Sequence, residues 1–341
     1  MSYRCLPLMF LSAAALFGAT IPSDPLELAT GLLQNADTSA LRADALALLE
    51  RARQNQNLHV SGGPPFDLKV SFTSSGAVSN TGSGDIEEIW MTPGTWLWTA
   101  HVGNYSQTRV YYQGQAFDTN PGAYMPLRMH TVRSAIFWPV PTQMAGSLLR
   151  TSPASYNGVE VTCILTSRGS SAKDTSGRQW NEREYCVDPK TGFLQTYSEV
   201  PGIYSSYDYN GALEFHGSTL PRRFSIFEGG VPVIQAEIGS IQDPPASRPE
   251  AFTPSADMKG PGVMIQGHVH LLHVVPGTEP AVVHALLDQQ GKVLEAELVQ
   301  SGNSSEGAGI LENVKSAIFP AAREDVPTQR EVFIRVVGSL Q

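Results

Sequence analysis

The sequence predicts an α+β protein, in which an antiparallel sheet with helices is followed by a small β-β-α-β domain. Three observations lead to this prediction. Short segments with alternating apolar residues follow one another between 63 and 242, apolar residues at helical spacing precede and interrupt them, and a hairpin, a helix and a strand follow after 281. Alternation at period two is typical of strands with one buried face, whereas spacings of three and four are typical of helices.

Residues 1–20 have the pattern of a secretory signal. Arg4 supplies a positive charge, an apolar stretch runs from Leu6 to Phe17, and small residues follow it. The stretch is shorter than the ~20 residues that span a bilayer. We therefore expect an exported protein that is cleaved near residues 18–20 and has no stable membrane span, with an uncleaved anchor as the alternative.

Residues 21–62 are predicted to form two helices that pack on the sheet. Pro25 marks an early position of the first helix, and Thr38 or Ser39 caps the second. The second helix carries an apolar face at helical spacing, formed by Leu41, Ala45, Leu48 and Leu49. Each helix buries only one face, so both need a larger element to pack against.

Residues 63–242 are predicted to form one sequential antiparallel sheet. The first strand covers 66–73, and turns with Gly or Pro separate it from the strands that follow. A helix within 125–138, halted by Pro139, interrupts the strands, and a second short helix is expected over 144–149. Strands then resume and continue to the end of the region.

Two cysteines of this region are predicted to pair. Cys163 and Cys186 lie in segments that read as neighbouring strands, and removal of the signal takes Cys5 away. In an oxidising compartment a disulfide is the natural outcome, and it would stabilise the fold by about 3 kcal/mol in the chain-entropy model. Two buried free thiols, or a metal pair with two further ligands, are the alternatives.

The same region resembles the LolA/LolB-like fold of periplasmic lipoprotein carriers. The resemblance lies in the N-terminal helix, the long meander interrupted by helices, the hairpin VDPKTGFLQTYS at 187–198, and the segment SYDYNGALEFHGSTLPRRFSIFEGG at 206–230. It implies a half-barrel, a half-open sheet that curls around helices and leaves an apolar cavity. It carries over no catalytic residue.

A proline-rich stretch at 243–262 is predicted to be a semi-extended linker, and 263–341 a second domain. This second domain begins with a predicted strand, which is followed by a hairpin that turns at Gly291. The apolar face of the first hairpin strand consists of Val283, Ala285 and Leu287, and that of the following helix consists of Ile310, Leu311, Val314 and Ile318. Residues 331–337 alternate again and predict a last strand.

This C-terminal order resembles the TonB C-terminal domain. The matching residues are Asp288, Gly291, Lys292 and Val293 of the hairpin, residues 297–302, and Phe319, Pro320 and Ala321 after the helix. Ala317 stands where that family usually has a tryptophan, and Phe319 and Pro320 are adjacent where it usually has one residue between them. The resemblance implies docking of residues 281–337 on an envelope protein, for example by adding a strand to a sheet edge.

An apolar ligand site is predicted on the sheet. Trp96, Trp98 and Tyr112 could line a cavity for a lipid-like ligand, together with neighbouring aromatic residues. The alternative is that these rings belong to the packed core.

Other polar groups are candidates for metal binding or for acid–base catalysis. His268 and His270 share a strand face and could bind a metal with a third ligand such as His284, the alternative being ordinary exposed histidines. Asp85, Glu87 and Glu88 form a carboxylate cluster, for which the expected place is the solvent face of a strand. No nucleophile elbow, P-loop, dinucleotide motif, zincin motif or EF-hand loop occurs, so we expect no enzyme, cofactor or resident metal.

The net charge of −9 argues against binding to nucleic acid or to an anionic lipid surface. The sequence therefore predicts a non-enzymatic periplasmic protein with an apolar, lipid- or lipoprotein-like ligand in the half-barrel and a protein partner at the C-terminal domain. The alternative is a TonB-family envelope protein that acts only through protein contacts or by energy transduction to outer-membrane transport.

Overall fold

A computed structural model describes residues 34–35, 39–76, 81–120, 125–140, 148–167, 178–245, 249–260, 269–274, 280–321 and 329–338. The predicted signal, the first predicted helix and His268 lie outside these described residues. Among the helices that are described, none has the length and apolar character needed to cross a membrane.

Within the described ranges, thirteen strands form one open sheet, and all of their pairings are antiparallel. The α+β class and the large open antiparallel sheet predicted from the sequence are thereby confirmed. The spatial order is β1-β7-β8-β9-β10-β11-β14-β15-β2-β3-β4-β5-β6. The strands are β1 (Gln34–Asn35), β2 (Phe66–Ser74), β3 (Gly82–Thr92), β4 (Thr95–Val102), β5 (Tyr105–Tyr112), β6 (Gln115–Asp118), β7 (Leu148–Tyr156), β8 (Val159–Ser167), β9 (Arg183–Val187), β10 (Leu194–Val200), β11 (Ile203–Asp208), β14 (Arg223–Glu228) and β15 (Val231–Gln242), and a separate hairpin consists of β12 (Leu213–Phe215) and β13 (Ser218–Leu220).

Two helices pack on one face of this sheet, which we call the inner face and which carries Leu68, Ile86 and Trp98. Helix α1 (Ser39–Gln56) buries Ala45, Leu49 and Ala52, in agreement with the apolar spacing. Helix α2 (Leu127–Phe137) is buried along most of its length, including Met129, Val132 and Phe137, and ends just before Pro139. Helices and inner face share one apolar core, and we refer to this unit as the half-barrel.

The prediction of a short helix over 144–149 is wrong at Leu148 and Leu149, which begin strand β7. This strand pairs with β8 along its whole length and with β1 only at Thr151 and Arg150. Pro153 has no N–H to donate, and proline in sheets is confined to places where the ladder bond is not needed. Because Pro153 and the polar residues around it interrupt the apolar alternation, this strand could not be recognised from the sequence.

The predicted disulfide is confirmed. Cys163 of β8 lies directly opposite Cys186 of β9, with a Cα–Cα distance of 3.9 Å and an S–S bond. Both cysteines are fully buried against Tyr156 and Val161, on the face of the sheet opposite the inner face.

The described part of 243–262, the stretch predicted to be a linker, is not a free spacer. Residues 249–252 form a short 3-10 turn whose Phe252 is buried. Lys259 and Asp118 exchange two backbone hydrogen bonds of 3.0 Å. Strand β6 ends the sheet, so its free backbone groups would otherwise face solvent, and this segment covers part of that edge.

The C-terminal unit, which we call the tail domain (residues 269–338), has the predicted hairpin, helix and strand in order. Its strands β16 (Val269–Val274), β17 (Ala281–Asp288), β18 (Val293–Ser301) and β19 (Gln329–Gly338) have the spatial order β16-β19-β17-β18, and helix α3 (Gly307–Ser316) packs mainly on β18. Val283, Ala285, Leu287, Ile310 and Val314 form its core.

Ile318 does not belong to the apolar face of this helix, contrary to the prediction. The helix ends at Ser316, and Ala317 is already extended, with φ −75° and ψ 151°. Ile318 then pairs with Lys292 and leaves 81% of its side chain exposed.

Candidate functional site

The three residues predicted to line an apolar cavity do not share one wall. Trp98 is completely buried, and Trp96 is half-buried with its ring stacked on Tyr111 at 5.2 Å. The register of β4 and β5 pairs Trp96 with Tyr111, so the next residue, Tyr112, lies on the opposite face of the sheet. Of the three, only the two tryptophans lie on the inner face.

An ionic cluster lies between the inner face and α2. The sequence predicted an apolar core or a ligand cavity there. Glu88 of β3 is completely buried and accepts contacts from His59 Nε2 at 2.5 Å and Arg133 Nη2 at 3.2 Å. The Arg133 guanidinium also lies over the Trp98 ring, 4.3 Å from its centroid. Burial lowers the pKa of Arg133, and the neighbouring Glu88 charge offsets part of that effect.

The expectation that the three acids near the start of β3 face solvent is therefore wrong for Glu88, although Asp85 and Glu87 are exposed. Period two places Glu88 on the buried face with Ile86 and Trp90, a signal that is visible in the sequence. Its cationic partner is not visible, because Arg133 comes from α2, 45 positions away.

Aromatic rings surround the histidine of this cluster. His59 stacks on Phe137 at 4.2 Å and lies within 5.8 Å of Phe66 and 5.7 Å of Trp90. Trp138 meets it edge-on at 4.8 Å and is 43% exposed. Both carboxylate oxygens of Glu88 are occupied by cationic or histidine nitrogens, so the cluster favours a role in holding α2 on the sheet rather than proton transfer.

A cleft opens beside this aromatic group, and we call it the α1 cleft. Its cavity volume is about 170 Å³. It lies between the end of α1, the segment after it and the β12–β13 hairpin. The lining residues are Arg53, Gln54, Asn57, Leu58, Val60, Gly63, Pro64, Phe66, Phe215 and Ser218. The apolar side chains Leu58, Phe66 and Phe215 are buried, which gives the cleft an apolar floor.

The polar groups of the α1 cleft are already held by the protein. Ser218 Oγ donates to the Gln54 carbonyl at 3.0 Å, and Asn57 Nδ2 donates to the Val140 carbonyl at 2.7 Å. Arg53 forms a double contact with Glu50, which raises the pKa of the Arg53 guanidinium. These bonds fix the walls, and a ligand that enters needs mainly an apolar surface.

A second, smaller cleft, with a cavity volume of about 40 Å³, lies between α2, β10, β11 and the tail domain, and we call it the seam cleft. Phe333 of β19 closes one side of it, opposite Val200 and Ile203. Phe333 also belongs to an apolar cluster that joins the two domains through Leu127 and Val282.

His284, considered as a metal ligand, is buried at this domain interface between two carboxylates. Its Nδ1 lies 3.4 Å from Glu228 and its Nε2 lies 3.2 Å from Glu331. Arg128 pairs with the same Glu228, which places a cation where a metal ion would be repelled. His268 lies outside the described residues, and the side chain of His270 is not described either.

Within the described ranges, one group has ligand atoms close enough for a metal ion, namely Cys163, Glu184 and Cys186. Its two sulfur atoms are joined in the disulfide, so neither is available as a thiolate ligand.

Known proteins match this chain in structure but not in sequence. No family model matches it, and no curated protein matches it. Among solved structures, it is similar to a LolA superfamily protein from Nitrosomonas europaea, with 12% identity, a TM-score of 0.40, and coverage of 62% of this chain and 97% of that one. It is also similar to a putative outer membrane lipoprotein-sorting protein domain from Vibrio parahaemolyticus, with 6% identity, a TM-score of 0.36, and coverage of 62% and 94%. The MucA/MucB complex from Pseudomonas aeruginosa matches with 13% identity, a TM-score of 0.29, and coverage of 82% and 100%.

Proposed function

We propose that this chain is an exported, non-enzymatic binding protein that carries an apolar, lipid-like ligand in the α1 cleft. The cleft itself is the observation that carries the proposal. Its cavity volume of about 170 Å³ is below the ~300–1,000 Å³ of sites that enclose a whole small molecule, so it suits part of a ligand, such as one end of a hydrocarbon chain. Its floor consists of Leu58, Phe66 and Phe215, whereas its rim is polar.

The rim favours an amphiphile. Gln54 is exposed, Ser218 and Arg53 are half-buried, and the charge of Arg53 is paired with Glu50. A hydrocarbon chain on the floor gains about 25 cal/mol for each Å² of apolar surface removed from water. A polar head group can remain at the rim, in contact with water and with these side chains.

Filling the cleft tests this proposal. Val60 lines the α1 cleft and is half-buried, so Val60→Trp places an indole in the space that the ligand needs. We expect the affinity for a fluorescent fatty-acid analogue to fall at least tenfold, as measured by fluorescence titration of the purified protein.

The matched control is Val231→Trp. Val231 is 60% exposed at the start of β15 and does not line the cleft. Its variant is expected to bind the probe like the parent protein. An unchanged affinity in Val60→Trp, or no measurable affinity in the parent, would contradict the assignment of the ligand site.

The tail domain supports a second function, docking of an extended protein segment. Its order of elements, a hairpin, a helix and a strand, supports this proposal. Strand β18 is an edge strand of its sheet. Leu294 and Ile318, which lie at this edge, are 44% and 81% exposed. Glu295 and Glu297 of the same strand are exposed as well. We propose as partner an envelope protein whose docking segment alternates apolar and basic residues and pairs with β18.

Peptides selected on the whole protein from a displayed library test this docking surface. We expect alternating apolar and basic residues, and at least a tenfold loss of affinity in the double variant Leu294→Lys/Ile318→Lys. Leu41→Lys in α1, where Leu41 is 36% exposed, is the control. Peptides that bind the double variant as well as the parent would place the docking surface elsewhere.

The proposed location is the periplasm of a bacterium with an outer membrane. The Cys163–Cys186 disulfide supports an oxidising compartment, since such bonds rarely persist in the cytosol. The absence of enzymatic activity is part of the same proposal, and it is supported by the engagement of Glu88 and His59 in one buried ionic cluster.

A further inference from the structure

We infer that the tail domain docks on the half-barrel through a proton-dependent contact, in which protonated His284 joins Glu228 of the half-barrel to Glu331 of its own sheet. The docked arrangement is thus stabilised at mildly acidic pH and weakened at alkaline pH. This inference concerns the domain interface and does not depend on the proposed ligand.

The geometry places one imidazole between two acids of different domains. His284 lies in β17 and is 1% exposed, Glu228 ends β14, and Glu331 lies in β19. The imidazole nitrogens lie 3.4 Å and 3.2 Å from the two carboxylates. Arg128 of α2 holds Glu228 from the other side. Only the protonated form of histidine can donate from both nitrogens.

Protonation of His284 lets one imidazole bond both carboxylates at once. Arg128 and protonated His284 carry positive charges, and Glu228 and Glu331 carry negative charges. A neutral His284 can donate to only one of the two carboxylates, so one of the two contacts is lost. Because buried charges are costly where a hydrogen-bonded partner is removed, loss of this proton disfavours the docked state.

Water cannot easily compensate for the missing charge. The interface around the cluster is apolar and includes Leu127, Ile203, Val282 and Phe333. The Phe333 ring centroid lies 5.3 Å from that of His284. The cluster is therefore enclosed by side chains from both domains, and separation of the domains is the direct way to hydrate it.

Three further charged groups lie on β18 and β19, the strands that flank β17. Glu297 lies opposite His284 in the register of β17 and β18 and is exposed to solvent. Arg335, from the same face of β19, donates to the Trp180 carbonyl at 2.5 Å. Arg330 of β19 donates to the Pro320 carbonyl.

The direction of the pH effect follows from the pKa values. Burial alone would lower the pKa of His284, but the two carboxylates outweigh it and raise that pKa above 6.5. Burial likewise opposes ionisation of Glu228, but His284 and Arg128 lower its pKa below 4.5. A raised histidine pKa gives stability that is complete below about pH 6.5 and is lost as the pH rises through the docked-state value. The stability from Glu228 is present above about pH 4.5 and is lost in stronger acid.

Labelling of an interface thiol measures the docking equilibrium even when separation is rare. Val282 is completely buried in the interface cluster, and Val282→Cys places a thiol there, in a full-length chain that also carries Cys5→Ser. The labelling rate, divided by the rate of a free thiol at the same pH, gives the fraction of separated domains. We expect this fraction to rise up to about tenfold per pH unit above pH 6.5 and to level off beyond the docked-state pKa.

Three comparisons make the result decisive. His284→Gln should remove the pH slope and give a high separated fraction at pH 6, whereas His101→Gln, at an exposed histidine, should keep the slope. Val283→Cys, whose side chain lies in the core of the tail domain itself, should be labelled at least tenfold more slowly, because it is reached only by unfolding. Should His284→Gln fail to fold, the pH slope of Val282→Cys alone decides, and a flat profile between pH 6 and 9 would overturn the inference.

Discussion

Replacing Gly291 with alanine is expected to unfold the tail domain under conditions in which the half-barrel stays folded. Gly291 has φ +84°, and an added Cβ would lie 1.9 Å from the Phe319 carbonyl oxygen. Neighbouring backbone cannot move away easily, since the Phe319 N–H donates to the Gly291 carbonyl at 2.9 Å. Left-handed strain and a backbone clash act together, so we expect a loss of about 4 kcal/mol or more.

Gly230→Ala separates the clash from the strain. Gly230 has nearly the same φ, +79°, but nothing lies within 4 Å of the position of its Cβ. Here we expect only the left-handed penalty of about 1 kcal/mol. Calorimetry of both variants, together with hydrogen exchange of β17, checks the prediction. Equal effects of the two substitutions would mean that the chain relaxes freely around Phe319.

The second large effect is expected for Glu88→Leu, which removes the acid from the ionic cluster of the half-barrel. Arg133 would remain buried, 4% exposed, without its carboxylate partner. Breaking a buried ion pair by removal of one member costs about 3–5 kcal/mol, because the other charge stays without compensation. Urea unfolding followed by far-UV circular dichroism measures the loss.

A double variant distinguishes the pair from its individual members. Glu88→Leu/Arg133→Met removes both charges and replaces them with apolar side chains of similar length, so it should recover most of the lost stability. The neighbouring Glu87→Gln, on the exposed face of the same strand, is expected to unfold like the parent protein. A double variant as unstable as Glu88→Leu would show that shape rather than charge governs this position.

The patterns that could be predicted from the sequence are those that repeat along one segment. The alternation of Val283, Ala285 and Leu287 predicted the core face of β17, and two cysteines in segments that read as adjacent strands predicted the disulfide. Both depend on local periodicity and on short separations. The same alternation places Glu88 beside Trp90 on one face, but the acids around Glu88 led to the expectation that it faces solvent.

The pairs that could not be predicted join distant segments. Arg133 and Glu88 are 45 positions apart, and Arg128 and Glu228 are 100 positions apart. A single sequence contains no information on which buried cation meets which acid. The position of His284 between two domains has the same cause, since its neighbour Glu228 belongs to another sheet. Tyr112 was grouped with Trp96, but the residue opposite Trp96 is Tyr111. A shift of one residue in register moves a side chain to the other face of a sheet.

The central seam of the large sheet, where β15 pairs with β2, has a consequence for how the chain reaches its native state. Asp67 and Gln242 are paired there although 175 positions separate them in sequence. Contacts between such distant positions slow folding, because a long loop must close before they form. Until residue 242 has been synthesised, β2 lacks this neighbour and offers a bare edge to other chains. Folding of the chain should therefore depend on assistance that keeps the first half from aggregating while the second half is made.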